Sequence, residues 1–204
     1  MTVCIDQAHP SEVVTCAGII AAALLDDPVL RTFVPEGRDR LARLTELHVA
    51  ALRIGPLHGG AIDVAREHPG GPVLGVAAWE GPHPTASWWT ITRELPRLLH
   101  AVGSQAPQAL RTQRVFDAAR PRVPHWFLAD IAVAPGAQGL GAGSALLRHR
   151  LGAIDATEPL PAYLEATTAS SRRLYERFGF EAGAELPVPG APTAMLRPRA
   201  AETA

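Results

Sequence analysis

Gly136, Gly139, Gly141 and Gly143 fill half of an eight-residue stretch, GAQGLGAG, that follows a short apolar run and opens an apolar-periodic segment. Glycines so spaced clear side chains away from the backbone. At the start of a helix several N–H groups lack an intrahelical partner and the helix dipole is positive, so an anion can rest directly on them. A pyrophosphate suits such a loop, carried either by a dinucleotide or by coenzyme A; the bland alternative is a tight turn that holds nothing. Gln138, Gly139, Leu140, Gly141, Ala142, Gly143 and Ser144 are the candidate contacts. Leu147, Leu151 and Ile154, at i, i+4 and i+7, would pack the following helix onto a sheet. A dinucleotide fold asks for G-x-G-x-x-G, and Ser144 stands where its last glycine belongs. Glu165 lies where a ribose-binding acid would fall, yet only about forty residues follow it, too few for the further βα units of such a fold.

Composition narrows the chemistry. All nineteen basic residues are arginine, so a P-loop lysine, a Schiff base and a lysine general base are excluded. The net charge of −1, without a basic run, gives no footing for nucleic acid. Cys4 and Cys16 are too few for a disulfide framework or a four-ligand zinc site, and no metal is expected. No apolar stretch reaches the roughly 18 residues of a membrane span. The AGIIAAALL segment at 17–25 has acidic rather than basic flanks, which favours an amphipathic helix over a signal peptide. The expected compartment is the cytoplasm.

The elements that must position the loop read as a mixed α/β order. Helices are predicted over 11–34 and 38–53, the second with Leu41, Leu44, Leu47 and Leu52 along one side. Strands are predicted over Ala61–Arg66 and Pro72–Trp79, joined by the HPGG turn. A helical stretch over 90–119 is expected to break at Pro96 and Gly103, and GPHPTAS at 81–87 is a loop. A strand at His125–Val133, a helix at Gly139–Ile154, a strand at Pro161–Ala166 and a helix at Ser171–Phe178 follow. The tail from Glu181 to Arg197 supplies one or two more strands. No linker separates domains, so residues 1–204 are expected to form one α/β domain.

The strand HWFLADIAVAP, the loop Gln138-x-x-Gly141-x-Gly143 and the segment LYERFGF at 174–180 together resemble the GNAT (Gcn5-related) N-acetyltransferase superfamily. PAYLEATTASSRRLYERFGF and the ending PVPGAPTAMLRP are most similar to its puromycin N-acetyltransferase group. The resemblance is strong over about 124–198 and weak over 11–123. It implies a central mixed twisted sheet, splayed at an acetyl-CoA site and flanked by helices. The first of those stretches would be the cofactor half and the second a variable acceptor-binding half. It also implies that Ile131, Ala132 and Val133 flank the pantetheine arm, and that Tyr175 protonates the departing thiolate. A phenol suits that role, because its ordinary pKa near 10 leaves it a proton donor at neutral pH. The implied reaction is acetyl transfer from acetyl-CoA to the amine of a small molecule, with an antibiotic or secondary metabolite as the setting. Dimers are frequent in the superfamily, so a homodimer is one implied state.

The general base departs from the pattern. Phe127, eleven residues before Gln138, stands where many relatives carry Glu or His. Glu165 on the neighbouring strand is the candidate, beside a structural reading as a carboxylate tied to backbone or arginine. His125 reads as a strand-end histidine, and Asp130 should face away from Phe127 unless a bulge intervenes. The acceptor pocket is expected from Asp26–Glu36 and from the region around Trp79, Trp88 and Trp89, where the adjacent tryptophans either stack on a flat aromatic substrate or fill core. An acyl-CoA-binding regulatory protein, or a fold turned to another reaction, is the alternative that the missing base keeps open.

Overall fold

The computed structural model describes residues 3–83 and 85–199. Seven strands form one sheet in the order β1-β2-β3-β4-β5-β7-β6. These are β1 (Cys4–Gln7), β2 (Ala61–Arg66), β3 (Val73–Glu80), β4 (Trp126–Val133), β5 (Ala162–Ala166), β6 (Glu181–Glu185) and β7 (Thr193–Arg197). The helices are α1 (Val13–Ala23), α2 (Arg40–Ile54), α3 (Trp88–Val102), α4 (Ala106–Ala119), α5 (Ala142–Thr157) and α6 (Ala169–Glu176). Every neighbouring pair of strands is antiparallel except β4 and β5, which run parallel.

The sheet is covered on both faces. Leu146, Leu147, Leu151 and Ile154 of α5 pack on Trp79, Leu128, Leu164 and Met195. On the other face Val13, Cys16, Ile20, Val49 and Leu52 of α1 and α2 meet Val64, Val76, Ala78 and Ala132. Burying one such leucine or isoleucine fully contributes about 1.5–3 kcal/mol. Asp63 of β2 is the exception in this apolar layer. It is fully buried, and Arg150 of α5 clamps it with Nε 2.9 Å from Oδ2 and Nη2 2.5 Å from Oδ1. An Arg150→Ala variant strands that carboxylate, and the expected loss is about 3–5 kcal/mol of unfolding free energy in a urea titration. A loss below about 1 kcal/mol would mean that the carboxylate finds water instead.

Several boundaries differ from the sequence reading. The first helix ends at Ala23 rather than at residue 34. Pro28 disfavours helix at Asp27, and the Asp27 carboxylate instead accepts the N–H groups of Val29 and Leu30 at 2.9 and 3.0 Å. Pro96 does not break α3. It lies on the exposed side with Thr92, whose unpaired carbonyl can be hydrated. Gly103, at φ 54°, does end that helix. The strand Cys4–Gln7 went unpredicted because four residues at an edge give too short an alternation. The Glu181–Arg197 tail forms two strands. Of the 81–87 loop, Pro84 lies outside the described residues, as do the ends of the expected 1–204 domain.

Candidate active site

The parallel pair β4/β5 is held together only at Trp126–Ala162 and Phe127–Tyr163. Beyond those two rungs the strands part, and β5 continues with β7 alone. Toward β3 the ladder alternates: Ala134 donates to Leu74 O at 2.8 Å, so Ala132 also turns its main chain to β3. Ile131 and Val133 therefore present their N–H and C=O groups to the open side. Of the three expected flanking residues, these two have free main-chain groups there, and Ala132 is buried against α1 and α2.

The glycine loop leaves the C-terminal end of β4, at the mouth of that opening. Gly139 and Gly141 are both left-handed at φ 80°, a region in which a Cβ is strained. Gly141 is the N-cap of α5 and offers no side-chain hydrogen bond to the first turn. The helix therefore begins at Ala142, not at Gly139, because two left-handed residues cannot continue a right-handed turn. A Cβ built on Gly139 or Gly141 meets nothing within 4 Å, and one on Gly143 meets only Val133 Cγ2 at 3.8 Å. Gln138 and Leu140 are exposed, and Ser144 is partly buried in the first turn. The result is an uncapped helix N-terminus under open space, which fits a pyrophosphate group.

Between the parted strands lies a cavity of about 480 Å³. Ile131 of β4, Glu165 of β5 and Tyr175 of α6 line it, so three of the expected residues meet in one cleft. Tyr175 is positioned by a short, well-capped helix. Thr168 and Ser171 cap each other's backbone at its start, and Gly179 at φ 81° ends the chain's helical course. Phe180, 2 % exposed, then packs at 6.0 Å against the Tyr175 ring. Burial, reinforced by the Asp130 carboxylate, pushes the Tyr175 phenol above its usual pKa, so it stays protonated across the physiological range.

A bulge decides what else faces the cleft. Trp79 pairs with Leu128 but Ala78 with Asp130, so Ala129 is an extra residue in β4. The alternation flips there, and Asp130 joins Phe127 on the α2 side instead of facing away. His48 of α2 meets it, with Nδ1 3.4 Å from Asp130 Oδ2. Both residues line the cavity, and sequence reasoning had given neither a place in it. His48 did carry a signal: it sits four residues after Leu44, on the apolar side of its helix.

Tyr163 and Glu165 share this face. Neither the Tyr163 hydroxyl nor Glu165 Oε1 has a hydrogen-bond partner. Burial pushes the Glu165 carboxyl up from 4.5 to about 7, against the pull of Arg120. Arg120 itself is engaged elsewhere, 3.6 Å over the Phe127 ring and 2.9 Å from Glu80 Oε2. Phe127 thus serves as a platform for a guanidinium. His125 bonds Val123 O at 2.8 Å and is a strand-end residue.

Of the residues expected around an acceptor, the 26–36 segment reaches the cavity. Asp26, Asp27, Leu30 and Phe33 line the cavity, but the tryptophans do not. Trp79 is fully buried under α5, while Trp88 and Trp89 stack on each other at 3.6 Å on the surface. Tryptophan identity alone does not tell core from pocket. Among the described residues no cluster of three or more His, Cys, Asp or Glu forms a metal site, and no helix is long and apolar enough to cross a membrane.

Residues 107–182 match the model of the acetyltransferase (GNAT) domain family. A structure of histone acetyltransferase HPA2 and related acetyltransferase from Corynebacterium glutamicum superposes with a TM-score of 0.77 at 28% identity, over 100% of both chains. A GNAT superfamily phosphinothricin acetyltransferase from Sinorhizobium meliloti, solved with AcCoA, gives 0.55 at 18% identity, covering 100% of this chain and 91% of that one. A GCN5-related N-acetyltransferase from Kribbella flavida gives 0.54 at 18% identity, covering 96% and 97%. Over the described residues the chain therefore has the fold of the GNAT structures it superposes on, and residues 107–182 match the acetyltransferase (GNAT) domain family.

Proposed function

We propose that the protein is an acetyl-CoA-dependent N-acetyltransferase that acetylates the amine of a small molecule, with an antibiotic or other secondary metabolite as the setting. One observation carries the reading: the glycine-built, uncapped N-terminus of α5 follows directly on β4, the strand whose Asp130 and Ile131 line the cavity with Tyr175 and Glu165. Gln138, Leu140, Ser144 and the N–H groups of Gly139–Gly143 would hold the pyrophosphate. Ile131 and Val133 would bind the pantetheine arm as an added strand, and their free N–H groups would meet the oxyanion. Acetyl-CoA supplies the activated acyl group.

Glu165 takes a proton from the ammonium, and the freed lone pair attacks the thioester carbonyl carbon. As the C–S bond breaks, Tyr175 donates its phenolic proton to the sulfur and the attacking nitrogen gives up its second proton, which restores the phenol; the products are an amide and free CoA thiol. Phe127 cannot take a proton, whereas the Glu165 carboxyl, held near 7, is matched to the task.

The reading is tested by melting the protein with acetyl-CoA and with NAD, then assaying thiol release over a set of amines. A ligand at about 100 times its Kd stabilises by roughly 2.7 kcal/mol, so acetyl-CoA alone should raise Tm. A shift with NAD alone, or thiol release no faster than hydrolysis with every amine, would overturn it.

The Glu165 role has a pH signature. Its folded pKa is raised, so its contribution to stability is full below about 4.5 and is lost as pH rises through about 7. As a base it works only when ionised, so kcat/KM should rise through that same interval. Stability and activity are therefore expected to move in opposite directions between pH 5 and 8. Glu165→Gln should flatten the stability slope and remove the acid limb of the rate; an unchanged limb would assign the base elsewhere.

A further inference from the structure

The β4/β5 cleft is chemically lopsided. Asp26, Asp27, Asp130 and Glu165 line it, and among the described residues no arginine does. Two of the carboxylates are engaged locally. Asp27 Oδ1 accepts the N–H groups of Val29 and Leu30 at 2.9 and 3.0 Å, and Asp26 lies 3.3 Å from Arg31. Asp130 and Glu165 are left to face the cavity beside Tyr175.

A second observation points to a ligand at the same place. His48 is 4 % exposed and lines the cavity; its Nδ1 lies 3.4 Å from Asp130 Oδ2 without completing a hydrogen bond, and its Nε2 has no partner. A buried imidazole nitrogen without a partner is costly, and a bound polar group would relieve it. Leu24, Leu30, Phe33, Phe116 and Ile131 make an apolar, partly aromatic side of the wall, and Thr167, Thr168, Ser170 and Ser171 line the cavity near α6. The cavity volume of about 480 Å³ leaves room for a ring beside an acyl arm.

We propose that the acceptor is a monoamine on an apolar, ring-sized body with no carboxylate beside the amine, and that Asp130 is the residue that selects it. This rests on the acetyltransferase reading given above. Asp130, turned into the cleft by the Ala129 bulge, draws the ammonium toward Tyr175 and repels an α-carboxylate at the same spot. The apolar wall takes the body, and His48 meets the amine's remaining N–H or a polar substituent nearby. A polyamine's second ammonium would find Asp26 and Asp27 already engaged, by Arg31 and by the N–H groups of Val29 and Leu30.

Matched pairs differing only in the carboxylate test this: 2-phenylethylamine against phenylalanine, tryptamine against tryptophan, pentylamine against norleucine, with spermidine alongside. Thiol release gives kcat/KM for each, and acetyl-CoA-dependent Tm shifts are measured on the same samples. The expected result is a preference of about 100-fold for the member without the carboxylate, the scale of a like-charge contact in a covered site. Basicity does not produce it, since the amino acids carry the less basic amines. In Asp130→Asn the ratio within each pair should fall at least about tenfold, whatever happens to turnover, because losses common to both members cancel. Equal use of the amino acids, or a preference for spermidine, would overturn the proposal. So would inertness of every pair while acetyl-CoA still raises Tm, which leaves the acetyltransferase reading standing. No Tm shift with acetyl-CoA would sink that reading as well. An unchanged ratio in Asp130→Asn would remove Asp130 as the selector.

Discussion

Tyr175→Phe is expected to lower kcat by about 10²–10⁴-fold, the usual worth of a positioned general acid, and to leave acetyl-CoA binding intact. The substitution keeps the ring that packs on Phe180 and removes only the hydroxyl that reaches the cleft. Burial and the Asp130 carboxylate hold that hydroxyl protonated, so in the wild type a proton is always available for the sulfur. Without it the thiolate must leave uncompensated, into a cleft that already holds the Asp130 and Glu165 carboxylates. The loss falls on the transition state, so kcat and kcat/KM should drop together. Single-turnover thiol release, with the acetyl-CoA-dependent Tm shift as control, makes the separation. Turnover equal to wild type would reduce Tyr175 to a packing residue.

Gly141→Trp is expected to abolish the acetyl-CoA-dependent Tm shift at a concentration that stabilises the wild type by roughly 2.7 kcal/mol. The indole would project into the open space above the first turn of α5, where no atom now lies within 4 Å of a built Cβ. It would cover the free N–H groups that the uncapped helix presents. Strain must be separated from bulk, because Gly141 sits at φ 80° and any L side chain there costs about 1–3 kcal/mol. Gly141→Ala carries the strain without the bulk. It should melt lower than wild type and still respond to acetyl-CoA. A tryptophan variant that responds like wild type would mean that the loop holds no phosphate.

Local sequence carried much of this fold. The 61–66 strand alternates cleanly, and Ala61–Arg66 is found unchanged. The run Leu147, Leu151 and Ile154 marks the buried face of α5, and all three are core. Gly139, Gly141 and Gly179 are each left-handed, which glycine takes without cost, and that moves the start of the helix expected at Gly139 to Ala142. In all these cases the residue and its cause lie within one turn or one strand of each other.

The site was only half legible, for a matching reason. Tyr175 could be named through motif resemblance and Glu165 from its place on the neighbouring strand, and both line the cleft. Asp130 could not be placed, because its direction depends on one extra residue at Ala129, and a bulge is defined by the register of the partner strand. His48 lies 82 residues from Asp130 in sequence, and only the packing of α2 on the sheet brings them to 3.4 Å. Trp79, Trp88 and Trp89 could not be assigned to pocket or core, because burial is a property of what surrounds a side chain. The sequence by itself determined most helices, most strands and the glycine-built turn before α5, since dihedral preference and apolar period are local. Tertiary structure alone decided the parting of β4 from β5, the side on which Asp130 stands and the burial that lifts Glu165, since each depends on a neighbouring strand or helix distant along the chain.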